Sequence, residues 1–591
     1  HEWFDDVGVM IGLEARGTKG AALMFETSPN NGFVVREMAR SEAQPRATSI
    51  MFDIYDRLPF GSDFGRYKDH VAGLNIAFVD EFCYYHTELD DPEHVSLASV
   101  QHMGTYTLEL ARHFGSIPLD DCYAPNATYF NTIGSHMVVH PQTWNWPMVW
   151  GALALFVFVL GFGWFRGRLS IGGMLAGAGI TLAAALVSAL IVGALSGLLF
   201  LQFREMALYS NNLYCISFAF ITTAILFLMI GLVRERLRPQ NMLAGVLLFW
   251  AVGMIGLQMY MSGGTYAALW PLVFGSIYLL VLCLGPKGEN PAPARIGLAS
   301  LIALPVLILT APQLYMMAYT LTLLGGALLS ILLVLLFAML NPQIALIGGR
   351  TRWSTAAVIG ALGVACFIGA YVMNQPTPET PRLNSLSYGM DFDEGRGYWI
   401  GGDRTLDEWT RQFFDEDTPR VPVDEFMPGH DFPYLKAPAP SAPFPKPEFE
   451  VKRDRVRNGR RILDVRLDSP RDAQRVYLDV ISDTEVYRAE LLGVKLDGAE
   501  SGWASKFEIL PREGVDLRLV VEPGVALKIT VREMSYGVPR FPNMRPRPDW
   551  MVTEPNRALD HRVRRLRSEH TWSRYTFDLG TGTEEATLRN D

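Results

Sequence analysis

The chain has 591 residues, a net charge of −9 and a hydrophobic fraction of 49%. Residues 146–373 hold 13 charged side chains and the rest of the chain holds 100, so the apolar content sits in one block, which excludes both a soluble globule and a disordered chain. The block carries ten basic and three acidic residues, so the flanks together are acidic, which gives no basis for a nucleic-acid partner, since phosphate contacts need basic patches.

The sequence starts at His1 and runs at once into the apolar segment Val7–Leu13, with no targeting segment, so it is expected to be processed or a fragment of a longer chain. Residues 1–117 read as the last part of an α/β domain. Val7–Leu13 is a continuous apolar run, as in a strand buried on both faces. Ala21–Phe25 and Leu74–Val79 are further strands, and Phe33–Ala39 is helical. Ser96–Phe114 is a helix closed by Gly115, with Leu97, Val100, Met103, Leu108, Ala111 and Phe114 as its apolar side. Alternating strands and helices predict a parallel or mixed sheet. Two spots carry possible chemistry. Glu14 in Leu13–Gly17 follows the first strand, where open α/β sheets bind ligands. His86, in the acidic loop Tyr84–Asp91, is a candidate zinc ligand. Taken alone, Glu14 is equally a salt-bridge partner of Arg16, and His86 a solvated loop histidine.

Residues 118–145 read as an extramembrane connector. Eight membrane helices are expected at about 146–165, 171–200, 212–233, 241–261, 265–284, 296–312, 315–340 and 355–373, because about 20 residues at 1.5 Å each cross the hydrocarbon core. Alternate connections hold Arg166 and Arg168, then Arg234, Arg236 and Arg238, then Lys287 and Arg295, then Arg350 and Arg352, whereas the intervening ones hold Arg204 alone. The basic side is cytoplasmic by the positive-inside rule, so both flanks face the periplasm or a lumen. Gly173/Gly177 and Gly193/Gly197 have the spacing of helix-packing faces.

Residues 374–447 read as a Pro-rich connector with a short helix at Thr405–Phe414 and an extended linker at Pro428–Pro447. In residues 448–591, period-2 segments at Arg461–Leu467, Arg475–Ile481, Val486–Leu496, Phe507–Leu510, Leu517–Val521 and Leu527–Val531 predict a mainly β, sandwich-like domain. His430, His561 and His570 are expected at the surface.

Three strings then stand in a telling order: LEARGTKGAALMFETS, SDFGRYKDHVAGLNIAFVD and YYHTELDDPEHVSLASVQHMGTYTLELARHFG. Together they resemble aminopeptidase-like zinc metallopeptidases, closest to the multi-spanning branch of endoplasmic reticulum metallopeptidases, vacuolar membrane proteases and bacterial relatives. SLSYGMDFDEGRGYW and SYGVP also look like that branch's tail. The resemblance implies two zinc ions and hydrolysis of peptides at a membrane. It maps Glu14 onto an acidic zinc ligand and His86 onto the final histidine ligand, each on a different zinc. It makes Tyr85 a candidate for oxyanion stabilisation, and Asp63 and Asp90 candidates for supporting the ligands or orienting substrate. The other ligands and the general-base Glu are expected upstream of His1, so this fragment is expected to be inactive, with fewer ligands than the three a catalytic zinc needs.

The sequence thus predicts a multidomain membrane protein: a partial α/β zinc-peptidase domain, an eight-helix transmembrane block and a C-terminal β domain. Its expected partners are a peptide substrate and membrane lipid. The alternatives are a catalytically inactive peptidase-like scaffold and a peptide or amino-acid transporter. Coupled transport is disfavoured, because no ionisable residue lies near the centre of an expected helix.

Overall fold

The computed structural model describes residues 6–58, 61–85, 87, 89–203, 210–233, 235–284, 293–321, 325–347, 352–403, 405–428, 432–481, 485–499, 502–508, 510–553 and 569–581. The chain divides into two compact units, residues 1–85 with 89–375, and residues 86–88 with 376–591.

In the first unit, β1 (Met10–Ala15), β2 (Leu23–Thr27), α1 (Gly32–Arg40), α2 (Ser49–Tyr55), β3 (Gly73–Phe78) and α3 (Leu97–Phe114) follow in chain order. The sheet order is β1-β3-β2, with β1 parallel and β2 antiparallel to β3, so the sheet is mixed. All six residues of central β3 are buried. Ser96 caps α3, its side chain accepting from the Ser99 N–H.

The buried face of α3 differs from the expected one. Leu97 is 82% exposed, and Val100 and Leu108 are also exposed. Phe114 is buried and Met103 packs against the core as expected, but Ser99, Tyr106 and Leu110 are buried in place of Leu97, Val100 and Leu108. Both stripes repeat at helical spacing, so the apolar pattern alone did not choose between them; the large Tyr106 fills the core.

Residues 118–145 are not a separate connector. They form the hairpin β4 (Ala127–Asn131) and β5 (Met137–Pro141), whose Ala127 and Tyr129 join the core of the sheet. Asn31 holds the hairpin through its Oδ1, which accepts the Ala127 N–H at 2.9 Å, and Asn131 Oδ1 accepts the Ala47 N–H at 2.7 Å. These short polar anchors carry no hydrophobic period, which is why the segment reads as a link.

The bundle comprises α4 (Asn145–Phe165), α5 (Ile171–Phe203), α6 (Asn211–Val233), α7 (Pro239–Tyr260), α8 (Tyr266–Cys283), α9 (Pro293–Leu321), α10 (Gly326–Ala338), α11 (Asn341–Ile347) and α12 (Arg352–Met373). Seven of these, α4–α9 and α12, are long and apolar enough to cross a membrane. The expected crossing 315–340 includes residues 322–324, which lie outside the described residues. Its first part continues α9, and α10 has only 13 residues. Pro305 and Pro312 both lie inside α9, as membrane helices tolerate. Gly326 opens α10 where it meets α5: a Cβ there would come within 2.6 Å of Ser196 Oγ. Gly177 packs as its spacing suggested, since a Cβ on it would lie 2.7 Å from Met242 Cα of α7. Gly197 has open space around it, so the second pair is not a shared contact.

The turn Ser262–Gly264 between α7 and α8 docks on α2. Ser49 Oγ donates to the Gly263 carbonyl at 2.6 Å, and Asp53 Oδ2 accepts the Gly264 N–H at 3.1 Å. Asn145 donates to the Ser262 carbonyl, and the Phe130 ring stacks on Tyr266 at 4.3 Å. Burial pushes the Asp53 carboxyl up, against Arg57 and the N–H groups of Gly264 and Gly263, which pull it down; Asp56 adds to the rise. A raised carboxyl stabilises the fold when protonated. Its contribution is full below the ordinary value of about 3.9 and is lost as pH rises through the raised value. Lowering the pH from about 7 to about 4 therefore slows hydrogen exchange at the Gly263 and Gly264 amides, once intrinsic rates are corrected, and Asp53→Asn removes that dependence.

The second unit holds β6 (Arg382–Asn384), β7 (Ser387–Asp391), β8 (Arg396–Gly401), β9 (Arg420–Val421), β10 (Tyr434–Ala439), β11 (Glu448–Arg457), β12 (Arg460–Asp468), β13 (Arg475–Ile481), β14 (Val486–Leu491), β15 (Val494–Ala499), β16 (Trp503–Glu508), β17 (Val515–Val521), β18 (Lys528–Tyr536), β19 (Met551–Thr553) and β20 (His570–Asp578). An eight-stranded sheet runs β16-β13-β18-β20-β7-β8-β10-β9, and a five-stranded sheet runs β11-β12-β17-β14-β15. Side chains from both, including Leu463, Val465, Leu478, Leu517, Leu519 and Val531, share one hydrophobic cluster.

The expected connector 374–447 therefore supplies four strands of the larger sheet. Within it, Pro438 is accommodated because β9 pairs with β10 only at Tyr434 and Leu435, leaving that side of Pro438 without a ladder partner to lose. The helix expected at Thr405–Phe414 is a single 3-10 turn, Thr410–Gln412. It follows Asp407, whose carboxylate accepts the Trp409 and Thr410 N–H groups. The run Val486–Leu496 is the hairpin β14–β15, turning at Leu492 and Gly493, which both adopt positive φ. His570 is 1% exposed rather than at the surface, because it opens β20 between β18 and β7. His430 and His561 lie outside the described residues.

Candidate functional site

Strand register assembles the site. Gly12 and Glu14 of β1 stand opposite Asn75 and Ala77 of β3, so all four share one face. In β2 the register shifts between Met24 and Glu26, and this bulge places Glu26 opposite Asn75. A Cβ at Gly12 would lie 2.6 Å from Asn75 Oδ1, so only glycine leaves room for the amide.

Glu26 is 2% exposed and was not singled out in the sequence. It accepts from Ser62 Oγ at 2.8 Å and Asn75 Nδ2 at 3.0 Å, and pairs with Lys68 at 3.2 Å. The available signal was Asn75 itself, a polar residue inside the apolar strand GLNIAF, which must find buried partners.

Glu14 is half-buried at the end of β1. Burial pushes its carboxyl up; the Asp63 backbone N–H donates to it and lowers it, while the Asp63 and Glu26 charges raise it further. Asp63 thus sits beside Glu14, with an exposed side chain that makes no cap bond to the following turn, Phe64–Arg66. The cap belongs to Ser62, whose Oγ accepts the Gly65 N–H at 3.0 Å. Tyr55 completes the cluster, its phenol pushed up to about 12 by burial and by Glu26, with a bond to Ser62 opposing. Tyr85 lies half-buried and close enough to interact with the Arg16 and Tyr55 side chains. Burial lowers the Arg16 guanidinium, and Tyr85 and Tyr55 partly restore it.

Asp90 is exposed on the loop before α3. His86 lies outside the described residues. Among the described residues no three His, Cys, Asp or Glu side chains converge as a metal site, so they do not by themselves fit a zinc ion. The structure therefore groups Glu14, Asp63, Tyr85, Glu26 and Tyr55 around one end of the sheet.

Residues 1–111 match the model of Peptidase family M28. The chain is 26% identical over 153 residues to Endoplasmic reticulum metallopeptidase 1 of Mus musculus, covering 24% of this chain and 17% of the relative. It is 25% identical over 150 residues to the protein of the same name from Homo sapiens, with the same coverage. Against the Vacuolar membrane protease of Schizosaccharomyces japonicus it is 30% identical over 154 residues, again 24% and 17%. The chain thus spans about a sixth of the length of these curated relatives, and it resembles their branch of the family. No solved structure matches the chain.

Proposed function

We propose that this chain is part of a membrane-anchored, zinc-dependent exopeptidase of the aminopeptidase type, acting on peptides at the non-cytoplasmic face of the membrane. The M28 match over residues 1–111 carries this reading. Glu14 and His86 are its two zinc ligands, one on each of two ions. Tyr85 serves the oxyanion, and Asp63 and Asp90 orient ligands or substrate. In support, the Glu14 carboxylate stands at the end of a parallel strand beside Asp63 and near Tyr55, which in turn interacts with Tyr85.

Sidedness follows from the positive-inside rule, and contacts within the bundle support putting both flanks at one end. The α7–α8 turn, which has no Lys or Arg, meets the M28 segment at Ser49 and Asp53. Helix α12 runs antiparallel to α6: Gly360 approaches Ala224, Ser217 Oγ donates to the Gly363 carbonyl, and the Ser210 N–H donates to Asn374. Helices α5 and α7 are side by side and parallel, with Gly173 against Asn241 and Gly245 against Ala178. The chain therefore leaves α12 at the bundle end that bears the α7–α8 turn, however α10 and α11 are disposed. Both flanks are then periplasmic or luminal.

One ligand on each ion is fewer than the three a catalytic zinc needs, so the 591-residue chain alone binds zinc poorly and hydrolyses nothing. Purified chain, supplied with zinc, is assayed for release of N-terminal residues from peptides, with and without chelator. The expected result is no release above background. Chelator-sensitive hydrolysis by this chain would overturn the ligand assignment.

A further inference from the structure

The tip of the β11–β12 hairpin is a strongly basic surface in an acidic chain. Residues 452–461 hold six basic residues and one acidic one. Within them Arg461 is buried and bonded to Asp454, and Lys452 pairs with Glu450, which leaves Arg453, Arg455, Arg457 and Arg460 as the other exposed basic residues. Register puts these four on one face: Arg453, Arg455 and Arg457 alternate along β11, and Arg460 stands directly opposite Arg457 across the Asn458–Gly459 turn. Alternate residues on a strand are about 7 Å apart.

The rest of this face balances its charges. Arg518 takes Asp464 at 2.5 Å, and Arg466 pairs with Asp516 at 3.0 Å. Asp464 lies opposite Arg453 in register, but Arg518 engages it. Like charges directly opposite one another, as Arg457 and Arg460 are, destabilise a hairpin. Protecting a sheet edge from pairing needs only a charge or two. A row of guanidiniums on an exposed strand instead suits a surface displaying many anions, and guanidinium matches phosphate oxygens in bidentate fashion. The unit that carries this row follows α12, the last membrane-length helix among the described residues, so the chain itself tethers it to a bilayer.

We propose that the Arg453–Arg455–Arg457–Arg460 face binds the phosphate headgroups of an anionic lipid surface. The test uses the full chain in neutral phosphatidylcholine nanodiscs, mixed with vesicles of pure phosphatidylcholine or with about 30% phosphatidylglycerol. Wild type binds the anionic vesicles at least tenfold more tightly than the neutral ones at about 0.05 M salt, and loses this preference at about 0.5 M. The triple variant Arg453→Gln, Arg455→Gln, Arg457→Gln keeps the wild-type thermal unfolding and loses at least tenfold in binding. Equal binding to both vesicles, or anionic binding unchanged in the triple variant, overturns the proposal. So does arginine-dependent binding to polyglutamate without vesicle binding, which would mark the face as a site for an acidic protein. If the triple variant unfolds early, Arg455→Gln alone is read against the same two vesicle types.

Discussion

Arg461→Leu lowers the stability of the C-terminal unit by about 3–5 kcal/mol, the usual cost of stripping one partner from a buried ion pair. Arg461 is fully buried, and all five of its N–H donors are used. Its Nε and one Nη2 hydrogen bond Asp454 at 3.0 and 2.7 Å. Its remaining donors reach the carbonyls of Val525 and Gly580, both at 2.9 Å, and of Leu579 at 3.1 Å. One side chain thus ties β11 and β12 of the smaller sheet to the entry of β18 and the exit of β20 in the larger one. Leucine fills much of the volume but leaves a carboxylate and three carbonyls unanswered. Asp454→Asn keeps an oxygen acceptor at a partly exposed position and costs about 1 kcal/mol. Denaturant titration, followed by hydrogen exchange in β12 and β20, measures both variants. Equal losses in the two would contradict this role for Arg461.

Glu26→Ala has the second large effect, about 3 kcal/mol of local stability in the M28 segment. It leaves the fully buried Asn75 amide without its acceptor and Lys68 with Asp56 alone. It also releases Ser62 from β2, and with it the turn whose Asp63 N–H reaches Glu14. Glu26→Gln keeps one acceptor and costs about 1 kcal/mol. The readout is hydrogen exchange at Asn75 and Ile76. Exchange there that is unchanged in Glu26→Ala would contradict the network.

Legibility varied with the physics of each segment. Strand β13 spans Arg475–Ile481 as read from the sequence, because one face is core and the other is wet, so alternation is clean. The M28 segment was recognisable from Glu14 and its neighbours, and residues 1–111 match that family. The face of α3 was not legible, because Leu97, Val100 and Leu108 make a second apolar stripe that this fold leaves exposed. Strands β7–β10 were masked by prolines that suit a linker equally well. Asn75 signalled a buried polar partner, but that Glu26 supplies it depends on a bulge at Phe25, which composition does not encode.

The central proposal is that the M28 segment lies at the non-cytoplasmic end of the bundle and that the chain leaves α12 at that same end. Labelling with a membrane-impermeant thiol reagent tests it most directly. Single cysteines are placed at three exposed positions: Asp69→Cys in the M28 segment, Arg236→Cys between α6 and α7, and Glu379→Cys after α12. Native cysteine labelling is subtracted. In sealed vesicles with the non-cytoplasmic face outward, the account predicts that Cys at 69 and 379 reacts at once and that Cys at 236 reacts only after permeabilisation. Labelling of 69 and 379 from opposite sides, or of 236 together with 69, would contradict it.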